Sequence, residues 1–553
     1  MIRRTQLSLS MMKPYRFRVL VGALVLAGTG GLAITSTVSA SSSGWTAYIA
    51  NDGSGSVSPI ALATNTAGTS VTVGTNPIAV AITPDGKTAY VVNNGSNSVT
   101  PITLATDIAG TPIAVGNSPQ AIAITPDGKT AYVSNYTDNS VTPIALATDT
   151  AGTPFSVGSG PEGIAITPDG KTAYVAISGS AEVTPITLAT NTAGTPITVG
   201  TTPYAISITP DGKTAYIANY RSASVTPITI ATNTAGTAIS VGVEPIAVAI
   251  TPDGKTAYVA NYSSNSVTPI TIATNTAGTA ISVGSAPYAV AITPDGKTAY
   301  VANFSSNSVT PINVATNTAG TEITVGTHPD GIAITPDQAP TASFSAAVAN
   351  SGAATRFDGS ASTTPVGTIT SYAWNFGDGS SVTTSSATTS HTYASAGSYT
   401  ATLSVTNSAE TSTTQVFTGQ TVSNEGGASA TTSQSITIES PSTTTTSTTP
   451  ATTTSTTTAT SAPATTTTLA PTRTLCSVKT RTVTIKRVET VHGRREVVVT
   501  HHRIIVRKRV SVRRKIAVKE MKIVHGKRTD VIVHKVRITH RMEPVKTCRK
   551  VAN

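Results

Sequence analysis

The octapeptide Thr-Pro-Asp-Gly-Lys-Thr-Ala-Tyr begins at Thr83 and returns at Thr125, Thr167, Thr209, Thr251 and Thr293, a period of 42 residues. A degenerate first copy, Trp45-Thr46-Ala47-Tyr48, lacks the leading turn, and a last one, Thr335-Pro336-Asp337, lacks the remainder of the octapeptide. Units of this length cannot bury an apolar face alone and must stack on one another or close into a ring. The second period holds four short apolar stretches, at 88–93, 98–103, 111–115 and 121–125, separated by turn residues. In Thr-Pro-Asp-Gly, proline presets the first turn position and glycine accepts the left-handed one, which gives a tight hairpin. Four strands per repeat is the arithmetic of a propeller blade, and seven periods fit 44–337. An open solenoid is the alternative. Seven copies without distinct polar caps favour closure, and so does the offset of the ends. The copies begin at a second strand (46–51) and stop after a first strand (331–335), so the last strand completes the first blade and hides both edges.

The segments Ala-Tyr-Val-Ala-Asn at 257–261 and 299–303, each preceded by Pro-Asp-Gly-Lys, resemble the YVTN-family β-propeller repeats of microbial surface and secreted proteins. The resemblance extends over all seven copies. Ala, Ser or Val stands where the name-giving Thr would be, Val-Thr-Pro-Ile replaces an aspartate turn common in relatives, and Ile177 replaces the asparagine of the fourth copy. The family is tied loosely to surface layers and adhesion, while some similar propellers are enzymes, so the resemblance implies a fold and not one activity.

Residues 339–440 break the period. Phe344, the run Tyr372-Ala373-Trp374-Asn375-Phe376-Gly377-Asp378-Gly379, His391-Thr392-Tyr393 and Gly397-Ser398-Tyr399 lead into an alternating 400–405. Trp374 is the expected core anchor of a β-sandwich, and 376–379 a turn between strands. These motifs resemble a PKD domain, an immunoglobulin-like module of extracellular proteins that the resemblance implies is a spacer or a carbohydrate- or protein-contacting unit. At these positions Asp378 and His391 are expected to make turn and core hydrogen bonds rather than catalyse.

Both ends of the chain differ in charge from its middle. Residues 1–40 carry five basic and no acidic residues; 41–473 carry nine basic and 21 acidic; 474–553 carry 23 basic and five acidic. At the start, Arg3, Arg4, Lys13, Arg16 and Arg18 precede an apolar run at 19–34 and then Val38-Ser39-Ala40, the order of a cleavable export signal with cleavage after Ala40. An uncleaved anchor helix is the alternative, but the run is short and glycine-rich for a bilayer. Residues 441–473 are nearly all Thr, Ser, Ala and Pro and read as an extended, mobile stalk.

In 474–553 two segments recur at an offset of 33, with His492-Gly493 and His525-Gly526 between apolar runs, which predicts two β-hairpins. Cys476 and Cys548 bracket them. In an oxidising compartment these form a disulfide; thiols used between chains are the alternative. Arg507, Arg509 and Arg513 share one strand face and are candidates for binding an anionic polymer. The spacing of the six histidines here fits no standard metal site.

The near-copies make departures from the repeat informative. After the asparagine stand Tyr136, Tyr220 with Arg221, Tyr262 and Phe304; around the proline of the second loop stand Glu162, Tyr204, Glu244, Tyr288, His328 and Asp330. All should fall on one face of the ring, as a ligand-binding rim or as inter-blade packing. No catalytic constellation, phosphate-binding loop, metal spacing or cofactor motif stands out. The expected class is therefore all-β: a seven-bladed propeller, an immunoglobulin-like sandwich, a linker and a basic hairpin domain. The expected role is an exported surface or secreted binding protein. Its partners would be protein or carbohydrate at the propeller face and anionic surface polymer at the tail, with no nucleic acid and no transmembrane helix in the mature chain. The alternative is an extracellular polysaccharide lyase or hydrolase using the propeller funnel.

Overall fold

The computed structural model describes residues 44–441 and, in the C-terminal segment, the backbone of the strands Arg473–Val478, Thr480–Val491, Arg494–Ile505, Lys515–Val524, Lys527–Val536 and Lys546–Val551. The export signal, the stalk and Arg507, Arg509 and Arg513 lie outside the described residues. Among the described residues no helix is long and apolar enough to cross a membrane.

Seven antiparallel sheets form the propeller. Blade two runs from the inner strand Pro77–Ile82 through Thr88–Asn93 and Ser98–Thr103 to a broken outer strand, Ile108–Ala109 and Ile113–Ala114. The break departs from the continuous 111–115 expected, and proline explains it. Pro101 has no N–H for an outer neighbour, and the chain bulges so that the Gly110 N–H donates to the Pro101 carbonyl at 2.7 Å. A Cβ on Gly110 would lie 3.1 Å from Cγ of the proline ring, so the glycine of the recurring Ala-Gly-Thr lets the chain pass close over that ring. Inner strands begin at the proline, two residues before the expected 121–125 in blade three, with a register shift just after it.

Ring closure obeys the offset of the copies. Thr46–Asn51 pairs on one side with Ser56–Ala61 and on the other with Pro329–Ile334, so the two ends of the repeat array share blade one. The inner strands surround a central channel, each beside the next, with Pro329–Ile334 between Pro287–Ile292 and Pro77–Ile82. The second strands are buried on both faces between neighbouring blades, which is why Ala-Tyr-Val-Ala-Asn does not alternate with polar residues. Each apolar cluster joins two blades: Tyr48 and Ala50 of blade one pack with Val80, Ile82 and Val91 of blade two.

Two polar devices repeat. In the hairpin turn the Thr83 hydroxyl donates to Asp85 Oδ1 at 2.7 Å, the Lys87 N–H donates to the same oxygen, and Gly86 adopts φ +65°. The Lys87–Asp85 ion pair is solvent-exposed and adds little. The strand-end asparagine is fully buried: Asn303 Nδ2 donates to the hydroxyls of Ser308 and Thr310 at 3.1 and 2.8 Å. In blade four, where Ile177 stands instead, the Thr184 hydroxyl turns to the Val157 carbonyl at 3.0 Å.

Asp337 leads out of the propeller. Its carboxylate accepts from the Trp45 indole N–H (3.1 Å) and from Asn407 Nδ2 (2.5 Å), tying the first blade to the next module. That module is a sandwich of a three-stranded sheet (Ser345–Ala347, Ala354–Asp358, Thr388–Thr392) and a four-stranded one (Ser381–Thr384, Ile369–Asn375, Gly397–Asn407, Thr431–Ile438). Phe344, Phe357, Trp374, Phe376, Tyr393 and Leu403 fill it. Between its last two strands, residues 409–430 leave the sandwich and reach the propeller.

In the C-terminal segment, described by itself, Thr480–Val491 pairs with Arg494–Ile505 and Lys515–Val524 with Lys527–Val536, the two hairpins read from the repeat. A third pairing, Arg473–Val478 with Lys546–Val551, sets Cys476 directly opposite Cys548.

Candidate functional site

The residues immediately after the inner-strand proline form one column at 42-residue intervals: Ile78, Gln120, Glu162, Tyr204, Ile246, Tyr288 and Asp330. All seven line a central cavity of about 220 Å³. They stand where the inner strands begin, on the face that also carries the loops after the strand-end asparagines.

At the other end of the channel the inner strands stop against the sandwich module. Carbonyl oxygens of Thr418, Gly419 and Gln420 accept the N–H groups of Ile208, Ile166 and Ile124, the last residues of three successive inner strands, at 3.0, 2.7 and 3.1 Å. The Gln420 side-chain amide donates to the carbonyl of Ile206, and the Ser207 hydroxyl to that of Thr418. Phe417 and Val422 are buried against Ile164 and Ile166. Gly419 has φ +116°, and a Cβ there would lie 3.0 Å from the Ala165 Cβ and 3.3 Å from the Ile208 nitrogen, so glycine alone fits. Thr418, Gln420 and Val422 thereby contribute to the lining of the cavity. The sandwich module is docked as a plug, beyond the spacer role that its resemblance implies.

Around the open mouth the aromatic residues are contiguous. The hydroxyls of Tyr204 and Tyr288 meet at 2.7 Å across Ile246 of the blade between them. Tyr220 lies against Tyr204 (6.2 Å between ring centres), Tyr262 edge-on against Tyr288 (5.9 Å), Phe304 against Tyr288 (5.7 Å), and His328 stacks on Phe304 at 4.4 Å. These rings pack on one another, as the inter-blade packing reading expects; the tyrosines and Phe304 are half-buried and His328 is exposed. Tyr136, 41% exposed, stands apart beside Gly160 in blade four. Arg221 is exposed beside Tyr220.

The sequence grouping of residues around the proline divides in two. Glu244 and His328 precede it, at φ +57° and +53°, and sit on the outer loop. Glu244 accepts from the Ser263 hydroxyl; burial first, and Glu244 after it, raises the Tyr220 phenol. Glu162, Tyr204, Tyr288 and Asp330 come after the proline and face the channel. Both acids are 7% exposed. Burial pushes the Glu162 carboxyl up to about 8, only partly offset by the Ser178 hydroxyl. Burial, reinforced by Asp52, holds Asp330 well above the usual carboxylate range. Burial raises both phenols too, with Glu162 adding most for Tyr204 and Asp330 for Tyr288. Sequence reasoning passed over Gln120, Ile78 and Ile246, although the 42-residue column identifies them.

In the sandwich, His391 Nε2 meets Asp378 Oδ2 at 2.6 Å and stacks on Phe376 at 4.2 Å. Burial raises the Asp378 carboxyl, but hydrogen bonds from Ser380 and His391 outweigh this and hold it at about 2. Ser380 Oγ lies 3.4 Å from the same Nε2 and donates to Asp378 Oδ1. A proton relay needs the hydroxyl and the carboxylate on opposite ring nitrogens, so this cluster serves the turn. Among the described residues no group of three metal-ligating side chains converges.

Residues 232–324 match the family described as lactonase, 7-bladed beta-propeller, and residues 337–422 match the PKD domain. No curated protein matches the chain. Hydrazine synthase of Kuenenia stuttgartiensis is similar at 25% identity, covering 52% of this chain and 99% of that chain with a TM-score of 0.46. A 6-phosphogluconolactonase candidate from Bacteroides uniformis is similar at 18% identity, over 53% and 99%, with a TM-score of 0.47. A protein from Lactobacillus plantarum is similar at 16% identity, over 53% and 99%, with a TM-score of 0.46. Strand topology and both family matches agree that this chain is a seven-bladed β-propeller followed by a PKD domain.

Proposed function

We propose that this is an exported surface or secreted binding protein whose propeller takes its ligand at the aromatic mouth and whose basic C-terminal segment holds anionic surface polymer. One observation carries the reading of the propeller. The channel is floored by the PKD plug and opens at a rim of six aromatic rings, a shape suited to docking a saccharide or peptide from one side. The charge of 474–553 supports the reading of the tail. A second reading, an extracellular hydrolase or lyase, is favoured by Glu162, whose carboxyl near 8 suits proton transfer at neutral pH.

Retention of the full chain on purified cell wall and on immobilised glycans tests the first reading. Deleting 474–553 should cut wall retention about tenfold and abolish its salt dependence. Tyr220→Ala with Tyr262→Ala should remove glycan or peptide capture. Retention unaffected by these changes overturns the proposal, and turnover of a polysaccharide that Glu162→Gln abolishes would replace it with the second reading.

A further inference from the structure

Asp330 is the anomaly of the channel. The residue is only 7% exposed and lines the cavity, and its carboxyl receives no hydrogen bond or ion pair from the described residues. A buried carboxylate without a partner is costly, and a position kept only for packing would carry an apolar residue, as Ile78 and Ile246 do in the same column. Glu162, in that column too, is equally buried. Among the described residues nothing cationic in the propeller can serve them. The six turn lysines belong to the opposite face and pair with their own aspartates, and Arg221 is exposed on the outer rim. The charged group acting on Asp330 is another acid, Asp52.

We infer that the channel mouth is a site for a linear alkylammonium ligand, held by Asp330 and Glu162 against the rings of Tyr204 and Tyr288. This rests on the reading of the mouth as the propeller's binding site and names the ligand class. Two features select an organic cation over a metal ion. The acids are separated around the ring by Ile78 and Gln120 on one side and by Tyr204, Ile246 and Tyr288 on the other, so they do not form the compact oxygen cage that a hard ion needs. Tyrosine faces attract ammonium groups, and the isoleucine and alanine walls suit a methylene chain. With a carboxyl on each arc, an α,ω-diamine meets both.

Binding is coupled to protons. Asp330 is faced by Asp52 from the 3-10 turn of blade one, by Tyr288 of blade seven and by Tyr204 beyond it, and His328 lies two residues earlier; Glu162 is faced by Tyr204 and Ser178. Before an ammonium group arrives, burial favours the protonated form of both carboxyls, and Glu162, pushed up to about 8, holds its proton at neutral pH. An ammonium ion requires carboxylates, so it must expel those protons, and affinity rises with pH until the amine itself deprotonates.

Calorimetric titration of the full chain with 1,4-diaminobutane tests this. Binding should be about tenfold or more tighter near pH 8.5 than near pH 6, with heats that depend on the buffer's ionisation enthalpy, as proton release demands. Asp330→Asn and Glu162→Gln, each checked for a native circular dichroism spectrum, should each weaken binding about tenfold or more. The neutral 1,4-butanediol should not bind, and magnesium should not compete. Absence of diamine binding by the folded wild-type chain, or unchanged affinity in folded Asp330→Asn, overturns the inference. Glycan and wall retention measured on the same preparations separates the two readings. Diamine failure with retention intact sinks the ligand class alone, whereas diamine binding without retention sinks the surface role alone.

Discussion

A single side chain at each repeat decides what the channel can do. The seven post-proline residues would give an unremarkable lining if Asp330 and Glu162 were apolar; with them, the fold stores two carboxyls where water is scarce. The consequence for stability is directional. Glu162 titrates near 8 in the folded chain and near 4.5 when unfolded, so the folded state holds the extra proton between those values. Stability from this group is present below about 4.5 and is lost as pH rises towards 8. In denaturant titrations at about pH 5 and pH 8, wild type should lose stability relative to Glu162→Gln as pH rises. A parallel pH response in the two proteins would mean that the side chain is solvated. The candidate residues were legible as departures from a near-perfect repeat. Their separation into channel and rim was not, because a short step across the proline moves a side chain from one to the other, as Glu244 and Ile246 show.

Among the elements, the segment around Gly419 carries most of the unforeseen structure. Its three carbonyls extend three inner strands that would otherwise end in unpaired N–H groups. Gly419→Val should lift the plug from the channel floor. Hydrogen exchange should then accelerate at the amides of Ile124, Ile166 and Ile208 while the second strands stay protected. Gly352→Val is the control: its φ is also positive, at +82°, but nothing lies within 4 Å of a Cβ there. Equal effects from the two substitutions would reduce the plug to a loose contact. The hairpin turns, in contrast, were fully legible, because Thr-Pro-Asp-Gly-Lys satisfies itself within six residues.

Across the whole molecule, a belt of hydrogen bonds records closure. The repeat tyrosine of each blade donates to an Asp or Asn in the outer turn of the next, as Tyr174 does to Asn233 at 2.6 Å. The last, Tyr300, reaches back to Asn65 of blade one at 2.7 Å. In a closed ring these two bonds are equivalent. Tyr174→Phe and Tyr300→Phe should therefore each cost about 1 kcal/mol in denaturant unfolding. A markedly smaller loss for Tyr300→Phe would mean that the seam between first and last blades is open.

The sequence by itself determined the blade count, the turn chemistry, the strand offset that closes the circle and the presence of a PKD module, because each depends on interactions within one or two periods of chain. Only the tertiary structure decided that the PKD module blocks the channel, that Asp330 and Glu162 share one cavity, and that the rim tyrosines meet. Those outcomes depend on contacts such as Ser207 with Thr418, between residues 211 positions apart. No local period encodes them, and they arise only when seven strands have curved round to bring a common axis within reach.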